Sequence, residues 1–89
     1  MFIVGCESHD NVVVNSAQVV LFEATDYAVH ARLSDGRLVC LADYPSTLAC
    51  EVAFSELIDA LSENAVMLYY MPSVCEIWEV IHRANSSEN

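Results

Sequence analysis

Polar and apolar positions alternate from Tyr27 to Leu33, and this period of two predicts a strand with one buried face. Leu38 to Leu41 is apolar throughout, so the pattern predicts a second strand that lies inside a sheet or has its outer face covered by another chain. Asp35-Gly36 lies between them, and Gly can adopt the positive φ that a tight hairpin turn needs. The two segments are therefore predicted to pair as an antiparallel hairpin.

The period changes after Tyr44-Pro45, where proline ends the strand and suits the first turn of a helix. Ser46 or Thr47 can cap this helix at its start, and Asn64 can end it. The apolar positions that follow have the i, i+3, i+4, i+7 spacing of a helix with one buried stripe. That stripe is Phe54, Leu57, Ile58 and Leu61.

Other segments have the composition of strands. Residues 2–6 and 12–14 predict one or two short edge strands, and Ala17–Ala24 predicts a longer strand between turn-forming residues. Ala65–Met71 is rich in Val and Tyr and predicts a last strand, which Pro72 ends.

A second helix is predicted to start after Ser73, because Ser73 and Glu76 have the spacing of a capping box. Its apolar face consists of Val74, Ile77, Trp78 and Ile81. The chain is thus predicted to be one α+β domain over residues 1–83, with a disordered tail at 84–89. Its fold is a small antiparallel β-meander covered by one amphipathic helix, with a further strand and a C-terminal helix.

The charge is strongly one-sided, because 13 Asp and Glu residues stand against three Arg and give a net charge of −10 with histidines neutral. Direct binding of nucleic acid is disfavoured, since affinity for phosphates comes from cations, and an anionic membrane surface is disfavoured for the same reason. The charge serves solubility or attracts a basic protein partner.

Apolar residues make up 55% of the 89 residues, more than a small domain easily hides. This surplus predicts a homo-oligomer, with a well-filled monomer core as the alternative. The longest apolar run, Ala65 to Pro72, has the length of a buried strand rather than of a membrane span, and the first ten residues lack the features of a signal peptide. We therefore expect a cytoplasmic protein without membrane contact.

Four cysteines are present without a C-x-x-C pair, so a zinc ribbon or a thioredoxin-type motif is not predicted. In a chain that is not exported, Cys6, Cys40, Cys50 and Cys75 are expected to be free thiols that behave as small apolar side chains. Cys40 and Cys50 fall on predicted apolar faces, where burial raises the pKa of a thiol and makes it inert.

Cofactor and catalytic motifs are not found, since the two glycines, Gly5 and Gly36, cannot build a phosphate-binding loop or a nucleophile elbow. His30 is expected to be a solvated or hydrogen-bonded strand histidine, and His9 with Glu7 and Asp10 is explained better as a solvated turn than as a metal site. We predict no enzyme activity, cofactor or metal, and a small thiol or metal enzyme is the least favoured class.

Three carboxylates follow one side of the first predicted helix: Glu56, Asp59 and Glu63. Their axial steps of about 4.5 and 6 Å resemble phosphate spacing, so the row could enter a basic nucleic-acid-binding groove of another protein. The alternative is an ordinary solvated helix face. These three residues, together with Trp78 of the terminal helix, are the predicted partner-binding residues.

The segment Leu33–Leu48, LSDGRLVCLADYPSTL, resembles the signature of DUF2442, a small bacterial family of unknown function. There a strand ends in a DGR turn and leads to a second strand, an aromatic-Pro pair and a helix. The resemblance extends from Val13 to Ile81, with Met71-Pro72 standing where the family usually has Trp-Pro. It implies a compact α+β domain with a β-meander and a covering helix, and it implies little about activity.

The sequence therefore predicts a non-enzymatic, acidic protein-binding module that self-associates. The alternative is an inhibitor from a phage or mobile element, which blocks a basic nucleic-acid-binding surface by charge mimicry.

Overall fold

The computed structural model of the chain describes residues 1–6, 9, 11–63 and 66–87. In these residues the structure has six strands, two α-helices and a short 3-10 helix. In chain order they are β1 (Phe2–Val4), β2 (Val13–Asn15), the 3-10 helix (Ser16–Gln18), β3 (Val19–Thr25), β4 (Ala28–Leu33), β5 (Leu38–Asp43), α1 (Thr47–Ser62), β6 (Leu68–Tyr70) and α2 (Val74–Ser87). The α+β fold predicted from the sequence is confirmed.

The strands form two three-stranded sheets. The first, called here the meander sheet, has the order β3-β4-β5 with antiparallel pairing throughout. The turn between β4 and β5 contains Gly36 at φ +93°, as the predicted hairpin requires. The second, called here the mixed sheet, has the order β2-β1-β6, in which β1 pairs antiparallel with β2 and parallel with β6.

Two predictions about strand position are wrong. β1 lies in the middle of the mixed sheet rather than at an edge, because β6 returns from the far end of the sequence and pairs with its second side. β5 lies at an edge of the meander sheet, so the first alternative for Leu38–Leu41, a strand inside the sheet, is wrong, while coverage of its outer face by another chain stays a prediction. The Cys6 N–H donates to the Leu41 carbonyl at 3.2 Å, so the segment after β1 covers part of that edge.

Helix α1 begins where the sequence predicts, because the Ser46 side chain accepts a hydrogen bond from the Ala49 N–H at 3.1 Å. The Glu63 N–H donates to the Ala60 carbonyl at its end, and the predicted end residue Asn64 lies outside the described residues. The helix packs on β3, β4 and α2.

The buried stripe of α1 differs from the predicted one. Leu57 is fully buried, and Phe54 and Leu61 are half-buried against the core, but Ile58 is 43% exposed. The most deeply buried residues are Ala49, Cys50, Ala53 and Leu57. The small side chains of this line let the helix pack close to the core. Ile58 is the residue after Leu57, so its side chain points about 100° away from that of Leu57 around the helix axis, toward solvent. The prediction that Ile58 belongs to the buried stripe is wrong.

Helix α2 begins with the predicted capping box. The Glu76 N–H donates to Ser73 Oγ at 3.2 Å, and the Ser73 N–H donates to Glu76 Oε1 at 3.4 Å. Ile77 is fully buried, Val74 and Ile81 pack against the core, and Trp78 is 37% exposed. The helix continues to Ser87, so its backbone is helical through the first four residues of the predicted tail, while residues 88 and 89 lie outside the described residues.

Both sheets and both helices contribute side chains to one apolar core. Tyr44, which follows β5, is buried in it, and its hydroxyl donates to the Pro72 carbonyl at 2.8 Å. The Cys6 thiol donates to the same carbonyl at 3.3 Å. The end of β5, the segment after β1 and the link from β6 to α2 therefore meet at one point. Within the described residues, neither helix is long and apolar enough to cross a membrane.

Candidate functional site

A cleft with a volume of about 300 Å³ lies between α1, β6 and α2. We call it the acidic groove. Its lining combines carboxylates, tyrosines and apolar side chains with one arginine: Glu56, Tyr69, Tyr70, Pro72, Glu76, Ile77, Glu79, Val80 and Arg83. Three of these nine residues are glutamates, so the groove carries net negative charge despite Arg83.

Tyr69 is at the centre of the electrostatics of the groove. Burial, and to a smaller extent the nearby carboxylates of Glu56, Glu76 and Asp59, together raise the pKa of the Tyr69 hydroxyl to about 12. The phenol is therefore protonated and neutral at physiological pH. Side chains from α1 and α2 thus bring three negative charges close to one half-buried aromatic ring.

Of the four predicted partner-binding residues, one lines this groove, one lies near it and two lie outside its lining. Glu56 lines it, and Asp59 is close enough to act on Tyr69. Glu63 is exposed at the end of α1, and Trp78 is exposed on α2 without lining the groove. The structure therefore brings Glu56 and Asp59 together around Tyr69 and leaves Glu63 and Trp78 outside the groove lining.

Sequence reasoning missed most of the groove. The sequence predicts a helix cap at Glu76 and a strand in the Val- and Tyr-rich segment before Pro72, but it points to neither as part of a binding site. The signal that could have found them is the pair of adjacent tyrosines, Tyr69-Tyr70, followed within seven residues by Glu76. That Glu56 faces these residues depends on the packing of α1 beside α2, which the sequence does not encode locally.

A second surface is the outer face of the mixed sheet, which is apolar and exposed. Register pairs Val13 with Val4 and Val4 with Tyr70 in one row across the sheet. The neighbouring row is Asn15, Phe2 and Leu68. Phe2, Val13, Leu68 and Tyr70 are all at least half exposed. The described side chains of this face include no charged residue, whereas Ile3 and Val14 on the opposite face are buried in the core.

A third cluster joins His9 to the outer face of β5. His9 Nε2 lies 2.6 Å from Asp43 Oδ2 and 3.6 Å from Cys40 Sγ. Cys40 Sγ lies 3.7 Å from Asp43 Oδ1. The side chain of His9 is 22% exposed and that of Asp43 is 60% exposed, so the cluster lies at the surface.

A bulge in β5 brings Cys40 and Asp43 to the same face. Residues three apart in a regular strand point to opposite faces. Here the register with β4 shifts at Leu41, so that Cys40 lies opposite His30 and Asp43 lies opposite Ala28. Since His30 and Ala28 are two residues apart in β4, their partners share the outer face, while Leu41 and Ala42 are both buried.

The segment after β1 places His9 over this face. The Gly5 N–H donates to the Val12 carbonyl at 2.8 Å, and the His9 N–H donates to the Cys6 carbonyl at 2.9 Å. A Cβ at position 5 would stand 2.3 Å from the His9 carbonyl oxygen and 2.8 Å from that of Leu41. Only glycine allows this close approach of the backbone to β5.

The cluster does not have the geometry of a thiol-based catalytic relay. In such a relay one ring nitrogen of histidine faces the thiol and the other faces the carboxylate. Here the same atom, Nε2 of His9, faces both Cys40 and Asp43. Burial raises the pKa of the Cys40 thiol, and the Asp43 carboxylate raises it further, so the thiol is not activated. The hydrogen bond with His9 lowers the pKa of Asp43.

His30, on the same face of the sheet, is hydrogen-bonded, which is one of the two environments that the sequence predicts for it. His30 Nδ1 lies 3.4 Å from Thr25 Oγ1 on β3, the strand on the side of β4 away from Cys40. Cys40, Cys50 and Cys75 are free thiols, as expected, and the Cys6 thiol donates to the Pro72 carbonyl. Burial raises the pKa of Cys50 as well, which confirms the predicted direction.

No protein-family model, curated protein or solved structure matches the chain. The resemblance of Leu33–Leu48 to DUF2442 therefore stays a prediction.

Proposed function

We propose that the chain is a protein-binding module of the cytoplasm that takes a basic segment of a partner protein into the acidic groove. The observation that carries this proposal is that Glu56, Glu76 and the half-buried Tyr69 line the same groove, with the charge of Asp59 acting on Tyr69 from nearby. No catalytic step is assigned to these residues.

The chemistry of the groove suits a guanidinium group. Arginine forms paired hydrogen bonds to carboxylates and stacks on aromatic rings, and the groove offers both kinds of contact. Single exposed ion pairs contribute only about 0.2–1 kcal/mol each, so affinity has to come from several carboxylates acting on one ligand. The net charge of −10 adds long-range attraction, which speeds the encounter with a basic partner.

A deca-arginine peptide provides the test. The double variant Glu56→Gln/Glu76→Gln is expected to bind it about tenfold more weakly than the wild type, since two ion pairs of this kind are worth ~1.4 kcal/mol together. Isothermal titration calorimetry at low ionic strength measures the change. The variant Arg83→Gln is expected to bind more tightly, because it removes the cation that lines the groove.

Two comparisons show whether binding is local to the groove. Glu51→Gln/Glu23→Gln removes the same charge from positions outside the groove lining and is expected to bind nearly as well as wild type. Deca-lysine, which has the same charge, is expected to bind more weakly than deca-arginine because it lacks the planar fork. Equal losses in the two double variants would show that only net charge acts, and would contradict the proposal.

The second candidate function is inhibition of a nucleic-acid-handling protein by charge mimicry. It is favoured by the exposure of Glu56, Asp59 and Glu63 along one side of α1. In that case the partner's basic surface also binds nucleic acid. An oligonucleotide would then compete with the chain for the partner, and a partner that binds both together would count against mimicry.

Self-association belongs to the proposal, and the outer face of the mixed sheet is the surface that supports it. A second copy fits this face because its described residues carry no charge, so two chains of net charge −10 can pack there without opposing carboxylates. An exposed apolar face of this kind is typical of an interface.

Native mass spectrometry is expected to find a dimer that Leu68→Lys converts to monomer. Leu48→Lys is the matched control, because Leu48 and Leu68 are both 51% exposed but Leu48 lies in the first turn of α1. A monomeric wild type at micromolar concentration, or equal dissociation by both variants, would contradict this assignment.

A further inference from the structure

We infer that His9, Cys40 and Asp43 form a binding site for a divalent transition-metal ion of the zinc class. The three side chains offer an imidazole nitrogen, a thiol sulfur and a carboxylate oxygen, and all three ligand atoms lie within 4.8 Å of one another. This site is separate from the acidic groove, and the inference does not depend on the proposed function.

The distances between the ligand atoms fit one shared ion. Zinc bonds of about 2.0–2.3 Å at tetrahedral angles place pairs of ligand atoms about 3.3–3.6 Å apart. The observed separations are 3.6 Å between His9 Nε2 and Cys40 Sγ, and 3.7 Å between Cys40 Sγ and Asp43 Oδ1. The Asp43 carboxylate presents Oδ1 to the sulfur and Oδ2 to the imidazole. Nε2 and Oδ2 are hydrogen-bonded at 2.6 Å, and this pair has to open by about 0.7 Å for both atoms to bind one ion.

The feature that rules out a catalytic relay favours a metal site. One nitrogen, Nε2, faces both the sulfur and the carboxylate, so the three side chains present their ligand atoms to the same small space. On binding, the thiol proton leaves to solvent, the sulfur bonds the ion as a thiolate, and His9 bonds it through the Nε2 lone pair. Two negative ligands then balance the charge of the ion.

The ligand types select the class of ion. Thiolate and imidazole favour zinc and related transition metals, whereas calcium and magnesium prefer all-oxygen sites. The carboxylate of Asp43 is largely exposed, which gives the ion a path from solvent. Three protein ligands leave a fourth position for water.

A bound metal ion would link the mixed sheet to the meander sheet. His9 belongs to the segment that follows β1 of the mixed sheet, and Cys40 and Asp43 belong to β5 of the meander sheet. In the described backbone this junction includes the hydrogen bond from the Cys6 N–H to the Leu41 carbonyl. An ion bound there stabilises the folded chain, because the unfolded chain holds these ligands apart.

The test uses zinc and cobalt with the reduced full chain. Equilibrium dialysis is expected to find one zinc ion per chain, and the cobalt-loaded protein is expected to show a thiolate-to-cobalt charge-transfer band in the near ultraviolet. Cys40→Ser and His9→Asn are each expected to weaken zinc binding at least about tenfold, since even the loss of residues that merely orient metal ligands costs that much.

Matched variants exclude other cysteines and histidines. Cys75→Ser removes an exposed thiol, and His30→Ala removes a histidine of the same sheet face that is bonded to Thr25. Both are expected to keep the stoichiometry, the band and the affinity of wild type. The inference is overturned if zinc does not bind, if the band is absent, or if Cys75→Ser or His30→Ala weakens binding as much as Cys40→Ser.

If Cys40→Ser does not fold, the cobalt band is measured in the Cys75→Ser protein instead. Its cobalt band arises from a thiol other than Cys75, and adding His9→Asn or Asp43→Asn at the surface is expected to remove it. If the cobalt band persists after both His9→Asn and Asp43→Asn, the assignment of the metal site to His9, Cys40 and Asp43 is overturned.

Discussion

Replacing Leu57 by Ala is expected to lower the free energy of unfolding by about 3 kcal/mol. Leu57 is fully buried on the line of α1 that faces the core, so the change removes apolar contacts and leaves a cavity. Urea denaturation followed by circular dichroism measures the loss.

The neighbouring substitution Ile58→Ala is the control, and it is expected to cost less than about 1 kcal/mol because Ile58 is 43% exposed. The two residues have similar side chains and occupy adjacent helical positions, so the comparison isolates the orientation of α1. If Ile58→Ala cost as much as Leu57→Ala, the helix would bury the stripe that the sequence spacing suggests, and the core described above would be wrong.

Replacing Gly5 by Ala is expected to cost about 3 kcal/mol, the upper end of the range for overpacking. The added Cβ would overlap with two backbone carbonyl oxygens, those of His9 and Leu41. A side chain could relieve such an overlap by changing its rotamer, but these backbone atoms cannot. The segment after β1 therefore has to move away from β5. Urea denaturation gives the loss, and dialysis with zinc is expected to show weaker binding in the same variant, because His9 moves with the segment.

Gly36→Ala separates steric overlap from backbone conformation. Nothing lies within 4 Å of a Cβ at position 36, but φ is +93°, so the cost is about 1–2 kcal/mol from conformation alone. Zinc binding is expected to be unchanged in this variant. A smaller loss for Gly5→Ala than for Gly36→Ala would contradict the close approach of the first segment to β5.

The elements set by local sequence could be predicted. The hairpin of β4 and β5 follows from alternation and Asp35-Gly36, and both helices start at their predicted caps, Ser46 and Ser73. Each of these signals is contained within a few residues, where turn chemistry and capping hydrogen bonds decide the conformation.

Features that depend on distant residues could not be predicted. β6 pairs with β1 although more than sixty residues of sequence separate them, and no local pattern in either segment indicates which strand it pairs with. The spacing of large apolar residues predicts the wrong rotation of α1, because the small residues Ala49 and Ala53 are fully buried and belong to the face that packs on the core. Ile58 fits the spacing but not the packing.

The candidate sites show the same division. Glu56 and Asp59 were predicted from their row on α1, but their meeting with Tyr69 and Glu76 required the tertiary fold. The His9 cluster was missed because Cys40 and Asp43, three residues apart, share a face only through the bulge at Leu41. A bulge of this kind has no clear signal in an apolar run.

The central claim is that the groove between α1, β6 and α2 receives a basic segment, and amide chemical shifts test it most directly. Deca-arginine titrated into the ¹⁵N-labelled chain is expected to move the signals of Glu56, Tyr69, Tyr70 and Glu76 first and furthest, while those of Glu23 and Thr25 on β3 stay near their starting positions. Shifts spread evenly over all the acidic residues, or largest on β3, would contradict the claim.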